Sequence, residues 1–130
     1  MDRQGVQTWL DGYVAAWRAN EREQIEALFT DDAAYRFHPY GGEADVVTGS
    51  AAIADAWLEE PDEPSSWDAR YEPYAVDGDR AVAIGRSHYL AQGDRDERTY
   101  HNVFLLEFDG EGRCRAFTEL FGLEPGGADR

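Results

Sequence analysis

The stretch from Arg98 to Gly122 (RTYHNVFLLEFDGEGRCRAFTELFG) constrains the fold most, because it has the pattern of two strands joined by a tight turn. The turn is predicted at Asp109–Gly112, since its two glycines take positive φ without steric cost. Side chains alternate between two faces along a strand, so every second residue shares a surface. If the hairpin aligns the two sets, one face carries Tyr100, Asn102, Phe104, Leu106, Phe108, Phe117, Glu119 and Phe121.

Such a face is aromatic with two polar interruptions, Asn102 and Glu119. An apolar wall holding a few isolated polar groups is typical of a small-molecule pocket. A closed core with two hydrogen-bonded polar residues has the same pattern. The hairpin alone therefore predicts the face but leaves both interpretations open.

The composition is that of a single folded domain, expected over residues 1–123, with a loose tail over 124–130. Hydrophobic residues make up 42% of the 130 residues and aromatic residues 13%, which excludes a disordered chain. Acidic residues number 27 against 12 basic ones, all of them Arg, and the formal charge is −15. This charge argues against nucleic acid and against anionic membrane surfaces as partners.

Nothing in the sequence indicates export or membrane insertion. The single cysteine, Cys114, has no partner for an internal disulfide, which suits a reducing compartment. The N-terminus has no apolar signal core, and no apolar run reaches the roughly 20 residues of a membrane span. A cytoplasmic location is expected.

The first sixty residues predict three helices. Asp2 is a candidate cap for the first, which runs to about Ala19. Asn20 is a candidate cap for a short second helix. Ser50 is a candidate cap for the third, over Ala51–Glu60, in which Ile53 and Trp57 share a face. The expected buried side chains of the first two helices are Val6, Trp9, Leu10, Tyr13, Val14, Trp17, Ile25, Leu28 and Phe29.

The remaining segments predict strands. A short strand over Ala33–His38 ends at Pro39 and is followed by a loop over Tyr40–Thr48. After the third helix, Pro61–Ser66 is either a pocket rim or lid or a plain connector. Further strands are predicted over Trp67–Val76, with a kink at Pro73, over Arg80–Ala91, and in the hairpin. Helices followed by strands indicate an α+β fold, with the three helices packed on the concave face of a curved mixed or antiparallel sheet.

The strand over Arg80–Ala91 offers two alternatives for its polar residues. Val82, Ile84, Arg86 and His88 share one face. If that face is inward, Arg86 needs an acidic partner, and Glu119 is the obvious one; the pair would keep Glu119 ionised. If the other face is inward, Arg86 and His88 lie outside.

Several chemistries are not supported by any motif. The glycines at Gly41 and Gly42 lack the spacing of a phosphate-binding loop. His38, His88 and His101 have no metal-ligand spacing, and Cys114 stands alone. Neither a metal nor a cofactor is expected.

Three segments carry a family resemblance: YVAAWRANEREQIEALFTDDA over Tyr13–Ala33, TGSAAIADAW over Thr48–Trp57, and FDGEGRCRAFTELFG over Phe108–Gly122. They resemble the ketosteroid isomerases and, with them, the nuclear transport factor 2-like superfamily, which also holds polyketide cyclases, scytalone dehydratase and limonene epoxide hydrolase. The resemblance spans roughly Gly5–Gly122 and implies a cone-shaped sheet. One such fold hosts many chemistries, so it constrains fold more than function.

The resemblance also implies roles for individual residues. Tyr13 matches the tyrosine that donates a hydrogen bond to the substrate oxyanion in ketosteroid isomerases. The family's catalytic base precedes a proline on the first strand, where this chain has His38, with Phe37 as the competing match. Phe104 stands where the family has a second, protonated acid, which makes steroid isomerase activity doubtful.

Three hypotheses follow for function. The first is cofactor-free proton transfer on an apolar carbonyl compound (isomerisation, dehydration or cyclisation), with His38 as base and Tyr13 as oxyanion donor. The second is a binding module for a small apolar or aromatic molecule, and the third an interaction protein; a homodimer through the outer sheet face, with Val76, Val103 and Leu105, is expected in any of them. The candidate substrate-binding residues are Trp57, Arg86, His88, Asn102, Phe104, Phe117, Glu119 and Phe121.

Overall fold

The structure, a computed structural model, describes residues 1–125 and contains three α-helices and one sheet. Two single-turn 3-10 segments, Gly42–Asp45 and Pro64–Ser66, lie in the connections. The helices are α1 (Arg3–Ala19), α2 (Arg22–Glu26) and α3 (Ser50–Glu59). The strands are β1 (Phe29–Arg36), β2 (Val46–Thr48), β3 (Trp67–Asp77), β4 (Arg80–Tyr89), β5 (Arg98–Phe108) and β6 (Cys114–Leu123).

The six strands form one curved, unclosed sheet in the order β2-β1-β6-β5-β4-β3. All neighbours are antiparallel except β1 and β6, which run parallel. The parallel pair joins the first strand to the last, and α3 connects β2 to β3, which lie at opposite edges of the sheet. The predicted α+β class is confirmed.

The core lies between the helices and one face of the sheet. Helix α1 packs across β3, and α3 packs against β1 and α2. Trp9 donates from Nε1 to the carbonyl oxygen of Leu28 at 2.9 Å, which satisfies the one polar group of a buried indole. Tyr13 stacks on Phe117 with ring centroids 5.7 Å apart, and this contact seats α1 on the centre of the sheet.

The helix ends agree with the sequence at one position and differ at two. Ser50 does not cap α3 but is its first residue, and Gly49 occupies the cap position. The Asp2 carboxylate accepts from the Gly5 amide at 2.8 Å and caps α1, as predicted. Asn20 does not cap the second helix: it ends α1 in the left-handed conformation, at φ 55°. Asparagine tolerates that conformation, so the prediction chose the wrong helix end for it.

The first strand begins earlier than predicted, and a further strand lies in the predicted loop. Phe29 was expected on the second helix, but it is the first residue of β1, is fully buried, and pairs with Cys114. Val46–Thr48, inside the predicted loop, pairs antiparallel with the end of β1. Both differences arise because pairing with distant strands fixes these residues, and such pairing leaves little local signal.

The β5–β6 hairpin has the expected register. Asn102 pairs with Phe121, Phe104 with Glu119, and Leu106 with Phe117, so the two predicted sets do share a face. The kink at Pro73 is also present, as a register shift between Pro73 and Ala75. Of the tail predicted over 124–130, residues 126–130 lie outside the described residues, and the Glu124 amide donates to the Thr99 carbonyl at 2.9 Å.

Candidate functional site

A cavity of about 390 Å³ opens between the C-terminal half of α1, α3 and the inner face of the sheet. Its walls are mostly aromatic and come from every layer of the fold, while its polar groups are concentrated on β4, β5 and β6. The residues of the walls and floor are Tyr13, Trp17, Tyr35, Trp57, Tyr71, Ser87, Tyr89, Asn102, Glu119 and Phe121.

A chain of hydrogen bonds crosses the floor of the cavity. Ser87 donates from Oγ to Asn102 Oδ1 at 2.9 Å, and Asn102 donates from Nδ2 to Glu119 Oε2 at 2.7 Å. Because the one hydroxyl proton of Ser87 is already used, the Tyr71 hydroxyl donates to Ser87 Oγ, at 2.6 Å. We call these four residues, Tyr71, Ser87, Asn102 and Glu119, the floor network. Each of its three hydrogen bonds is donated in the direction of the Glu119 carboxylate.

Glu119 carries the carboxyl on the floor of the cavity. Burial raises the pKa of its carboxyl, and the hydrogen bond from Asn102 lowers that pKa by a smaller amount. Among the described residues no arginine or histidine pairs with it, and the hydrogen bond holds only Oε2. Oε1 is therefore free to exchange a proton with a molecule in the cavity, and a raised pKa moves that exchange towards neutral pH.

The raised pKa of Glu119 predicts a pH-dependent gain in stability for Glu119→Gln. A folded-state pKa above the unfolded value means that the stability from this group is present at low pH and is lost as pH rises through the folded pKa. Glutamine keeps an acceptor for Asn102 but carries no charge. We expect the midpoint of thermal unfolding of Glu119→Gln to exceed that of the wild type by about 3–5 °C near neutral pH, and by less near pH 5.

The control for this measurement is Glu72→Gln, which removes the same charge from an exposed position on the outer face of β3. Its unfolding midpoint should follow that of the wild type across the pH range. A Glu119→Gln midpoint that stays below the wild type at neutral pH would contradict the assignment of Glu119 as a desolvated carboxyl.

The tyrosines around the cavity are neutral donors. Burial raises the pKa of Tyr13 well above its ordinary value, and Tyr35, Tyr71 and Glu119 raise it further. Burial likewise raises the pKa of Tyr35, with Glu119 adding to the effect. Both phenols therefore stay protonated near neutral pH, and the two hydroxyls hydrogen-bond to one another. As a pair they can donate to an oxygen that gains negative charge.

The floor network depends on a close approach between β3 and β4 at Gly85. Gly85 pairs with Tyr71, and an added Cβ would lie 2.0 Å from the Arg70 carbonyl oxygen and 2.5 Å from Tyr71 Cδ1. Only a residue without a side chain lets Tyr71 lie flat over β4. This contact brings the Tyr71 hydroxyl to Ser87.

The mouth of the cavity is formed by a loop and two arginines. The predicted rim or lid is a rim: Asp62 faces the opening and accepts from Trp17 Nε1 at 3.0 Å. The Asn20 side chain donates to the Asp62 carbonyl at 3.2 Å, so α1 holds this loop in place. Arg95 and Arg98 face the same opening.

The predicted site residues fall into three groups: those that line the cavity, those beneath it and those outside it. Tyr13, Trp57, Asn102, Glu119 and Phe121 line the cavity. Phe104 and Phe117 lie beneath it, fully buried, and contact the Tyr13 ring at centroid distances of 5.5 and 5.7 Å. These two support the cavity wall but do not face its interior.

His38 is not in the cavity. It follows the end of β1, its Nδ1 is 2.7 Å from the Tyr40 carbonyl oxygen, and its ring stacks on Tyr40. Phe37, the competing match, faces the cavity mouth instead. The strand ends at Arg36, so the proline that carried the resemblance lies beyond it and turns His38 away from the pocket.

Arg86 and His88 lie on the outer face of β4, so the inward alternative for them is wrong. Arg86 is exposed, and His88 Nε2 lies 2.6 Å from Glu97 Oε2. No Arg86–Glu119 pair forms within the described residues, because the two side chains are on opposite faces of the sheet. The inner face carries Ala81, Ala83, Gly85, Ser87 and Tyr89.

Four residues that line the cavity were not predicted from the sequence as site residues: Tyr35, Tyr71, Ser87 and Tyr89. The available signal was the run of small residues on one face of β4, which marks the side crowded by neighbouring aromatics. It was outweighed by Val82 and Ile84, whose apolar side chains look like a core face but lie outside.

Over residues 1–125, no three or more histidine, cysteine, aspartate or glutamate side chains are grouped so that they could hold a metal ion. Over the same residues, no helix combines the length and the apolar character needed to cross a membrane.

Three helices packed on one face of a curved, unclosed six-stranded sheet, with a cavity between α1, α3 and the sheet, define the nuclear transport factor 2-like class of fold. A family profile described as the SnoaL-like domain matches residues 10–117. The chain belongs to this family, which is part of the nuclear transport factor 2-like superfamily. A comparison with curated protein sequences finds no match.

Solved structures with the same fold are distant in sequence. A protein of unknown function with a cystatin-like fold, from Methylobium petroleophilum PM1, superposes with a TM-score of 0.70 at 17% identity, covering 98% of this chain and 82% of that one. An LEH-like epoxide hydrolase from Mycobacterium tuberculosis gives 0.66 at 11% identity, covering 92% and 84%. SalBIII, an epoxide hydrolase/cyclase-like enzyme with a role in pyran ring formation in the polyether salinomycin, gives 0.68 at 16% identity, covering 93% of each chain.

Proposed function

We propose that this protein is a cofactor-independent enzyme that moves a proton on an apolar carbonyl compound, as in isomerisation, dehydration or cyclisation. The observation that carries the proposal is Glu119: a carboxyl with a raised pKa, held through one oxygen, in an aromatic cavity large enough for a small substrate. The family and the cyclase and epoxide hydrolase among the structural neighbours support a reaction of this broad type.

The proposed reaction assigns one role to each group. Glu119 Oε1 takes a proton from the carbon next to the carbonyl, and the electron pair of the C–H bond forms the carbon–carbon double bond of an enolate. The carbonyl oxygen becomes an oxyanion that accepts a hydrogen bond from Tyr13 or Tyr35. Glu119 then returns the proton to carbon, or transfers it to the leaving oxygen in a dehydration.

Asn102 is a positioning residue in this scheme. Its amide holds Glu119 Oε2 and is itself oriented by Ser87. His38 takes no part, because its ring lies outside the cavity.

The test is exchange of carbon-bound hydrogen for deuterium in β-tetralone, an aromatic ketone small enough for the cavity, followed by proton NMR in D₂O. We expect the protein to accelerate the exchange above the buffer rate. The rate should rise with pH through the pKa of Glu119, since only the ionised carboxylate accepts the proton from carbon. Binding of β-tetralone with exchange at the buffer rate would contradict the catalytic proposal and favour a non-catalytic binding module.

We further propose that the protein is a homodimer through the outer face of the sheet. Val82, Ile84, Val103 and Leu105 lie together on that face, and Leu105 is 45% exposed. Val76, expected in the same patch, packs instead against the core, because the register shift after Pro73 turns it inward. A sheet apolar on both faces is typical of a strand layer that is covered on both sides.

Substitution of Leu105 tests the dimer. We expect Leu105→Glu to sediment as a monomer at micromolar concentration, where the wild type sediments as a dimer, because a carboxylate would be buried in the contact. His101→Glu, on the exposed edge of the same strand face, is the matched control and should leave the dimer largely intact. A monomeric wild type would contradict the proposal.

A further inference from the structure

The mouth of the cavity carries an arginine that the protein leaves largely unpartnered. Arg98, at the start of β5, faces the opening, and its guanidinium carbon lies 4.4 Å from the Tyr89 ring centroid and 6.0 Å from that of Tyr100. Stacking between two tyrosines fixes its plane. The only hydrogen bond of the Arg98 guanidinium within residues 1–125 is a long one, 3.3 Å from Nη1 to the Asp96 carbonyl oxygen. The buried Nε of the same group has no acceptor.

Six of the eleven arginines within residues 1–125 form no ion pair with a carboxylate, and of these six only Arg95 and Arg98 line the cavity. Acidic residues outnumber arginines by 27 to 12, and three of them stand in the loop just before β5. Yet Glu97 pairs with His88, and Asp62 binds Trp17. Within the described residues, neither Arg98 nor Arg95 forms an ion pair with a carboxylate.

We propose that Arg98, assisted by Arg95, binds a carboxylate on the substrate. This inference rests on the proposed function and names its substrate class: an aromatic or apolar keto acid whose carboxylate stays at the mouth while its carbonyl end reaches Glu119. A guanidinium held in plane, with donors left over, matches the geometry of a carboxylate. Asp62 also faces the mouth and disfavours a second negative charge, which selects a carboxylate over a phosphate.

The spacing of the strand sets the length of such a substrate. Arg98, Tyr100 and Asn102 follow one another on the inner face of β5. Arg98 and Asn102 are separated by about 13 Å of strand, and both side chains reach inward, so the anchored molecule spans on the order of 10 Å. Tyr100 lies between them and offers its ring to the apolar middle of the ligand.

The proposal is tested with a pair of ligands of the same shape. γ-Phenylbutyrate and its neutral amide, γ-phenylbutyramide, differ only in the terminal charge, and their affinities are measured by titration calorimetry at low salt. We expect the carboxylate to bind about tenfold more tightly than the amide, and the difference to shrink as salt is added. Phenylpropyl phosphate should bind less tightly than the carboxylate; tighter binding would overturn the assignment to a carboxylate.

Substitutions of two arginines test whether Arg98 is the source of the carboxylate preference. Arg98→Gln should reduce the carboxylate preference to about twofold or less, because it weakens binding of the carboxylate far more than binding of the amide. Arg98→Lys should restore part of the preference, since it keeps the charge without the planar fork. Arg86→Gln removes the same charge from the outer face of the sheet and should retain the full preference. Equal affinity for the two ligands in the wild type, or a full preference in Arg98→Gln, would overturn the inference.

These measurements distinguish failure of the carboxylate subsite from failure of the proposed function. Glu119→Gln should keep the carboxylate preference, because it leaves the mouth intact. If neither ligand binds while β-tetralone exchange is catalysed, the carboxylate subsite is wrong and the enzyme proposal stands. If the carboxylate preference is present and exchange stays at the buffer rate, the subsite stands and the proton-transfer proposal fails.

Discussion

Replacing Glu119 by glutamine is expected to lower the rate of protein-catalysed hydrogen exchange in β-tetralone by about a thousandfold, which corresponds to ~4 kcal/mol of transition-state stabilisation. The amide has almost the same size and still accepts the hydrogen bond from Asn102, but it does not take up a proton. The exchange rate measured by NMR should therefore approach the buffer rate. The fold and the cavity should be unchanged.

Two controls make this result specific. The affinity of Glu119→Gln for β-tetralone should stay within about twofold of the wild type, which separates loss of chemistry from loss of binding. His38→Ala removes the other candidate base and should retain most of the exchange rate. A fully active Glu119→Gln, or an inactive His38→Ala that is still folded, would contradict the assignment of the base.

Substitution of Gly85 by alanine should have the largest effect on stability of any small change in the sheet. The new Cβ would lie 2.0 Å from the Arg70 carbonyl oxygen and 2.8 Å from Tyr71 Cα, and both are backbone atoms that yield only if β3 shifts. We expect a loss of about 3 kcal/mol or more in the free energy of unfolding, measured by denaturant titration. The displaced Tyr71 would also lose its hydrogen bond to Ser87.

The matched control is Gly122→Ala, in the same sheet. Nothing lies within 4 Å of an added Cβ there, and its φ is not positive. Its free energy of unfolding should equal that of the wild type or rise slightly, because alanine has less backbone entropy to lose. Equal stabilities for the two variants would show that the close approach at Gly85 is not required.

The sequence allowed prediction of most of the fold and about half of the site. The register of the β5–β6 hairpin followed from period-2 alternation and a glycine turn, and it placed Asn102 and Glu119 together. Tyr13 and Trp57 were found from helical spacing. These signals are local, and a local pattern survives in a single sequence.

His38 lies outside the cavity, contrary to the sequence prediction, for a physical reason. His38 has the chemistry of a base and precedes a proline, as the resemblance requires. However, β1 ends before His38, and the loop that follows a strand sets the direction of the side chains just past its end. On β4 both faces carry apolar residues, so alternation did not reveal which one was inward. In both cases the sequence indicated what a side chain could do chemically, but it did not indicate the direction in which that side chain pointed.

By itself the amino-acid sequence determined the fold class, the hairpin face and the presence of a carboxyl among aromatics, because alternation, helical spacing and turn chemistry act over a few residues. The tertiary structure alone decided that β1 lies beside β6, that Tyr71 covers Gly85, and that Arg98 meets the cavity mouth. Those contacts join residues far apart in the chain. The pKa of Glu119 depends on the burial that results from them.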